Sequence, residues 1–148
     1  MKRRVAALLW ATFALAFSPP ASADGPELSA RLTCAPATGP GRILCEIIAQ
    51  TASGKLVWVD ALVVRAPDFA RPLRARVVAQ VGSGAEAGTA TAKLALVASE
   101  LGHGRLEVLV RGVVCHDQPS GQHCGAEVAR VSSAVDVGQP APAPTPVP

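Results

Sequence analysis

Apolar and polar residues alternate in short runs along most of this chain, and turn chemistry separates the runs. Period-two alternation marks half-buried strands, because successive strand side chains point to opposite faces. Glu27 to Cys34 sets Leu28, Ala30, Leu32 and Cys34 on one face. Pro36 to Gly41 turns the chain into Arg42 to Gln50. Thr51 to Gly54 turns it again into Lys55 to Arg65, where Trp58 sits among valines and leucines. Ala66 to Pro72 contains Pro67 and Pro72 and reads as a loop or crossover. Arg74 to Val81 is the next run, closed by the glycine-rich Gly82 to Gly88. Ala90 to Ser99 is alanine-rich enough for a short helix, but its flanking turns favour a strand. Arg105 to Cys115 points Leu106, Val108 and Val110 inward, and Cys124 to Val137 puts Ala129, Val131, Val135 and Val137 on one face.

These runs predict about seven strands and no long segment of helical period. The expected fold is all-β, an immunoglobulin-like or fibronectin-like sandwich. A small Greek-key barrel is the alternative. No internal repeat of solenoid length is present.

The two ends of the chain differ from this pattern. Lys2-Arg3-Arg4 is a positive n-region, Val5 to Phe17 an apolar stretch of 13 residues, and Ala21-Ser22-Ala23 a small-residue cleavage site. Residues 1–23 are therefore expected to be a secretory signal, too short to span a bilayer and leaving no stable membrane anchor after cleavage. Residues 24–137 form the expected domain. Residues 138–148 hold five prolines in eleven positions. That density favours an extended, disordered tail. The expected destination is the periplasm or the extracellular space of a bacterium.

Charge changes the picture only after cleavage. The whole chain carries 14 basic and 11 acidic residues; residues 1–23 remove three basic ones and leave eleven of each. With no net positive field, bulk charge gives no reason to expect either nucleic acid or anionic lipid as a partner, and nucleic acid is excluded as an expected one. The local run Arg65, Arg71, Arg74 and Arg76, with only Asp68 among it, reads as a solvated face.

The expected core is aliphatic, since the domain has no tyrosine and only Trp58 and Phe69 as aromatics. Covalent staples suit such a core, and the four cysteines supply them. Cys34 and Cys45 stand equally far from Gly39-Pro40, and Cys115 and Cys124 equally far from Pro119-Ser120. Each pair suits a cross-strand bridge in one hairpin. A Cys45–Cys115 pairing with Trp58 between them has antibody-like spacing. In a sandwich of this topology, however, those cysteines lie about 30 Å apart along the strands, against the ~7 Å limit for bridged Cα atoms.

The second hairpin, Cys115-His116-Asp117-Gln118-Pro119-Ser120-Gly121-Gln122-His123-Cys124, is the chemically richer one. Its cysteines and histidines are zinc or copper ligands by type. Strand alternation puts the histidines on the face opposite the cysteines, so the metal alternative reduces to His116 and His123 with Asp117. The stretch from Val110-Arg111-Gly112-Val113-Val114-Cys115 through Gly121-Gln122-His123-Cys124 to Glu127 and Val131 resembles the cysteine hairpin of DsbD-type thiol-disulfide reductases. In that family an immunoglobulin-like periplasmic domain carries a redox-active cysteine pair serving other exported proteins. The resemblance implies the sandwich fold and, at Cys115–Cys124, thiol–disulfide exchange. The chain departs from the family in the eight residues between its cysteines and in Gly125-Ala126, where an aromatic and prolines belong.

Other chemistry is thin. Gly82-Ser83-Gly84 lacks the Gly-Lys-Ser/Thr ending of a phosphate loop, and no Gly-x-Ser-x-Gly elbow exists. His103 lies between two glycines, at a turn expected far from His116 and His123. The sequence thus predicts a non-catalytic module without cofactor, binding an unknown protein or cell-envelope partner. The expected recognition loops carry Thr51, Ser53, Ser83, Glu86, His116, Gln118 and His123.

Overall fold

The computed structural model describes residues 27–138. The expected signal at 1–23 and the proline tail after Gly138 lie outside the described residues. Two antiparallel sheets form an all-β sandwich. Nine strands make it up: β1 (Leu28–Cys34), β2 (Gly41–Thr51), β3 (Lys55–Arg65), β4 (Ala70–Pro72), β5 (Arg76–Val78), β6 (Gln80–Val81), β7 (Thr89–Ala98), β8 (Gly102–Gln118) and β9 (Gly121–Val137). One sheet runs β1-β2-β7-β4, with β6 also on β7; the other runs β5-β3-β8-β9.

Alternation dictates which side chains meet between the sheets. Leu28 and Leu32, Ile43 and Ile47, Leu94 and Leu96, and Leu106, Val108 and Val110 are all buried. Burying an aliphatic side chain of this size contributes about 1.5–3 kcal/mol. Among the described residues no aromatic ring is buried; Phe69 only packs against the core's margin. The alanine-rich run is strand β7, whose Ala90, Ala92 and Ala98 face inward.

Three details depart from the expected layout. The run Arg74 to Val81 is not one strand: Arg76–Val78 pairs with β3, and Gln80–Val81 pairs with β7 in the opposite sheet. The chain crosses the sandwich edge at Ala79, whose N–H donates to the Val59 carbonyl at 2.9 Å. Second, the expected loop Ala66 to Pro72 ends in the short strand β4, paired only with β7. An edge position tolerates Pro72, which has no N–H to offer. Third, β3 contains a bulge: Leu56 faces Val114 while Trp58 faces Val113, leaving Val57 unmatched. One extra residue reverses the faces that follow. Val59 and Ala61 therefore point into the core, and Trp58 and Asp60 point out.

Both cysteine pairs are bridged as expected from their spacing. Cys34–Cys45 and Cys115–Cys124 each sit directly opposite across a hairpin, with Cα atoms 4.0 Å apart. The two bridges lie at opposite ends of the sandwich. The β1–β2 turn touches the end of β9 through Ala37, whereas the β8–β9 turn closes at Gln118 and Gly121.

Candidate functional site

The loops expected to carry recognition do gather at one end. Thr51 donates its N–H to the Gly88 carbonyl at 2.9 Å, and Leu56 donates to Ala87 at 2.8 Å. These bonds fasten the β2–β3 turn to the Gly82–Gly88 loop. That loop contains one 3-10 turn, Gly84–Glu86, with Ser83 just before it. Gly54 fastens the same turn to the β8–β9 hairpin. Its φ of +72° is left-handed, and a Cβ there would stand 2.6 Å from the Cys115 carbonyl and 2.8 Å from the His116 ring. Only glycine satisfies both demands.

The β8–β9 ladder does not open into a loop after Cys115. Pairing continues through His116↔His123, Asp117↔Gln122 and Gln118↔Gly121, while β3 pairs with β8 only as far as Cys115. The hairpin tip therefore projects past its neighbouring strand, closed by the two-residue turn Pro119-Ser120. Because the ladder stays regular, His116 and His123 share one face and Asp117 lies on the other. The structure does not bring Asp117 to the histidines. Among the described residues no three His, Cys, Asp or Glu side chains converge as a metal site.

His116 and Asp117 are instead tied to neighbouring elements. His116 Nε2 lies 2.6 Å from Glu27 Oε1, and the Ser53 hydroxyl donates to the same oxygen at 3.2 Å. The Glu27 carbonyl also accepts the Ala52 N–H at 2.9 Å. On the other face, Lys55 Nζ donates to Asp117 Oδ2 at 3.0 Å and Gln122 Nε2 to Oδ1 at 3.2 Å. The Lys55 hydrogen bond and charge hold the Asp117 carboxyl below its ordinary range, with Gln122 adding to them. Gln118, His123 and Glu86 are exposed. His103 is at the far end of β8, paired with Asp136 at 2.8 Å. Thirteen strand residues put it roughly 43 Å from His116.

Sequence reasoning missed two residues. Glu27 joins His116, Ser53 and Ala52, yet nothing marks it in a lone polar position before a strand. Asp60 is fully buried on the outer side of β3. Arg111 grips it with Nε at 2.9 Å and a second nitrogen at 2.5 Å, and Arg76 pairs with the same carboxylate. Burial pushes the Asp60 carboxyl up, but the hydrogen bonds and charges of Arg111 and Arg76 outweigh it and leave it below its ordinary range. The same contact raises Arg111. Arg76 also lies over the Trp58 ring, 5.8 Å from its centroid. Arg76 is thus exposed, as expected of the basic run, but also paired with Asp60. The signal for this cluster was the single acid in the otherwise apolar stretch Val57 to Val64.

Set against known proteins, the chain matches no family model, no curated protein and no solved structure.

Proposed function

We propose that this protein is an exported, non-catalytic binding module whose recognition surface is the end of the sandwich holding the β2–β3 turn, the Gly82–Gly88 loop and the tip of the β8–β9 hairpin. The observation that carries the reading is their mutual fastening: Gly88 to Thr51, Gly54 against Cys115, and Glu27 to both Ser53 and His116. Loops held rigid before contact lose less entropy on binding. Export is supported by two disulfides, which persist in oxidising compartments. The strand order β1-β2-β7 facing β3-β8-β9 supports the immunoglobulin-like assignment, in which end loops are the usual recognition surface. A protein or cell-envelope component is the partner class that such a polar, loop-built surface suits.

Photo-crosslinking amino acids at Ser53 and Gln118, with Arg130 on the outer sheet face as control, test this in the living cell. Discrete adducts from the first two and none from the third are expected. Equal adducts from all three positions would remove the basis for the reading.

A second reading, thiol–disulfide exchange at Cys115–Cys124, draws on one observation. Cys124 is exposed while Cys115 is buried, which leaves one sulfur open to attack. It predicts a discrete mixed disulfide with an exported protein when Cys115 is replaced by serine. The binding reading predicts none.

A further inference from the structure

The outer face of the β1-β2-β7-β4 sheet has a composition unlike the rest of the molecule. Register places Leu44 opposite Ala95, and Leu73 donates its N–H to the Ala95 carbonyl at 2.9 Å. Those three residues form an aliphatic bar across β2, β7 and the residue that follows β4. One row further, Arg42 and Arg71 flank Val97. On the bar's other side Lys93 sits opposite Glu46, the only acid on this face. Leu44, Leu73 and Val97 are 54%, 57% and 41% exposed. Arg42, Arg74 and Lys93 line a cavity of about 310 Å³ beside Leu73 and Ala95. The ion pairs of the described residues involve Lys55, Arg76, Arg111, His103 and His116, and never Arg31, Arg42, Arg71, Arg74 or Lys93. On the opposite sheet, by contrast, Arg76 and Arg111 share the Asp60 carboxylate.

We propose that this face docks on an anionic phospholipid surface, with a headgroup phosphate seated among Arg42, Arg74 and Lys93 and with Leu44, Leu73 and Val97 entering the headgroup–acyl boundary. Unpaired cations around exposed aliphatic side chains match both parts of such a surface: the cations meet its negative potential and the aliphatics its apolar margin. The two rows offer no aromatic side chain, the residue class that anchors most protein interfaces. A near-neutral domain can still dock this way, because attraction falls off within a Debye length and only the facing charges count. Docking here would leave the loop end projecting along the membrane, free for its partner.

Sedimentation of the secreted chain with vesicles tests the proposal. Binding is expected to vesicles of equal parts phosphatidylcholine and phosphatidylglycerol, and not to phosphatidylcholine alone. Each cation near such a surface is worth about fivefold in affinity, or about 1 kcal/mol. The double variant Arg42→Gln, Arg71→Gln should therefore bind about 25-fold more weakly. The pair Arg105→Gln, Arg130→Gln makes the same charge change on the opposite sheet and should alter binding less than twofold. Leu44→Ser with Leu73→Ser should weaken binding at high salt, where the electrostatic share is screened. All positions are exposed, and unchanged thermal transitions confirm folding. Absence of binding to anionic vesicles overturns the proposal. So does equal loss from the two charge pairs. Tight binding to soluble polyglutamate without vesicle binding would do so as well, and would assign the face to an acidic protein.

Discussion

In the β1–β2 hairpin the bridge faces inward: Cys45 is buried with Ile43 and Ile47, and Cys34 packs against the same core. In the β8–β9 hairpin the bridge lies on the outward side of its sheet, sharing the parity of Arg111 and Val113, with Cys124 exposed. Equal spacing about a turn thus produces two different devices. The first bridge is part of the core and holds the sandwich's closed end. The second stiffens a hairpin whose tip runs past its neighbours, with Cys115 buried and Cys124 exposed. The comparison teaches that cysteine spacing fixes the pairing, while parity within the strand fixes what the bridge does.

The largest difference should come from deleting each bridge. Closing a loop of about ten residues stabilises by about 2.5–3 kcal/mol in the chain-entropy model. Cys34→Ala with Cys45→Ala also leaves a void in the core and should cost about 3–4 kcal/mol in denaturant unfolding. Next comes Arg111→Ala, which leaves buried Asp60 with Arg76 alone and should lower the unfolding midpoint, by less than loss of the core bridge. Because the folded Asp60 pKa is lowered, its stabilisation is complete above the ordinary carboxylate range and disappears as pH falls through the folded value. Thermal unfolding below about pH 4 should therefore show a loss of stability in the native chain that the Arg111→Ala variant lacks in part. Cys115→Ala with Cys124→Ala should cost about 2–3 kcal/mol and raise amide exchange chiefly in the hairpin tip. The smallest effect belongs to Glu27→Gln, below about 1 kcal/mol because the His116 pair is solvated. Its readout is the crosslinking yield at Ser53, which should fall as the turn loosens.

Most of the sheet was legible because alternation is a direct consequence of strand geometry. Leu106, Val108 and Val110 read as inward from the sequence and are fully buried. Where legibility failed, a local device broke the period. The Val57 bulge reverses parity halfway along β3, so Trp58 and Asp60 leave the face that Leu56 occupies. The crossing at Ala79 divides one apparent strand between two sheets. Neither device has a glycine or proline to announce it. At the loop end, the positions of Thr51, Ser53, Ser83, Glu86 and the hairpin followed from topology alone. The hub Glu27 did not, since its partners His116 and Ser53 are distant in sequence and meet only through the fold.

Peptide mapping of the native protein, held at a glutathione-like redox poise, tests most directly the proposal that both bridges are structural clamps in a binding module. The account predicts Cys34 linked to Cys45 and Cys115 linked to Cys124, with no free thiol at either site. Selective opening of Cys115–Cys124 at that poise, or a link between Cys45 and Cys115, would contradict it.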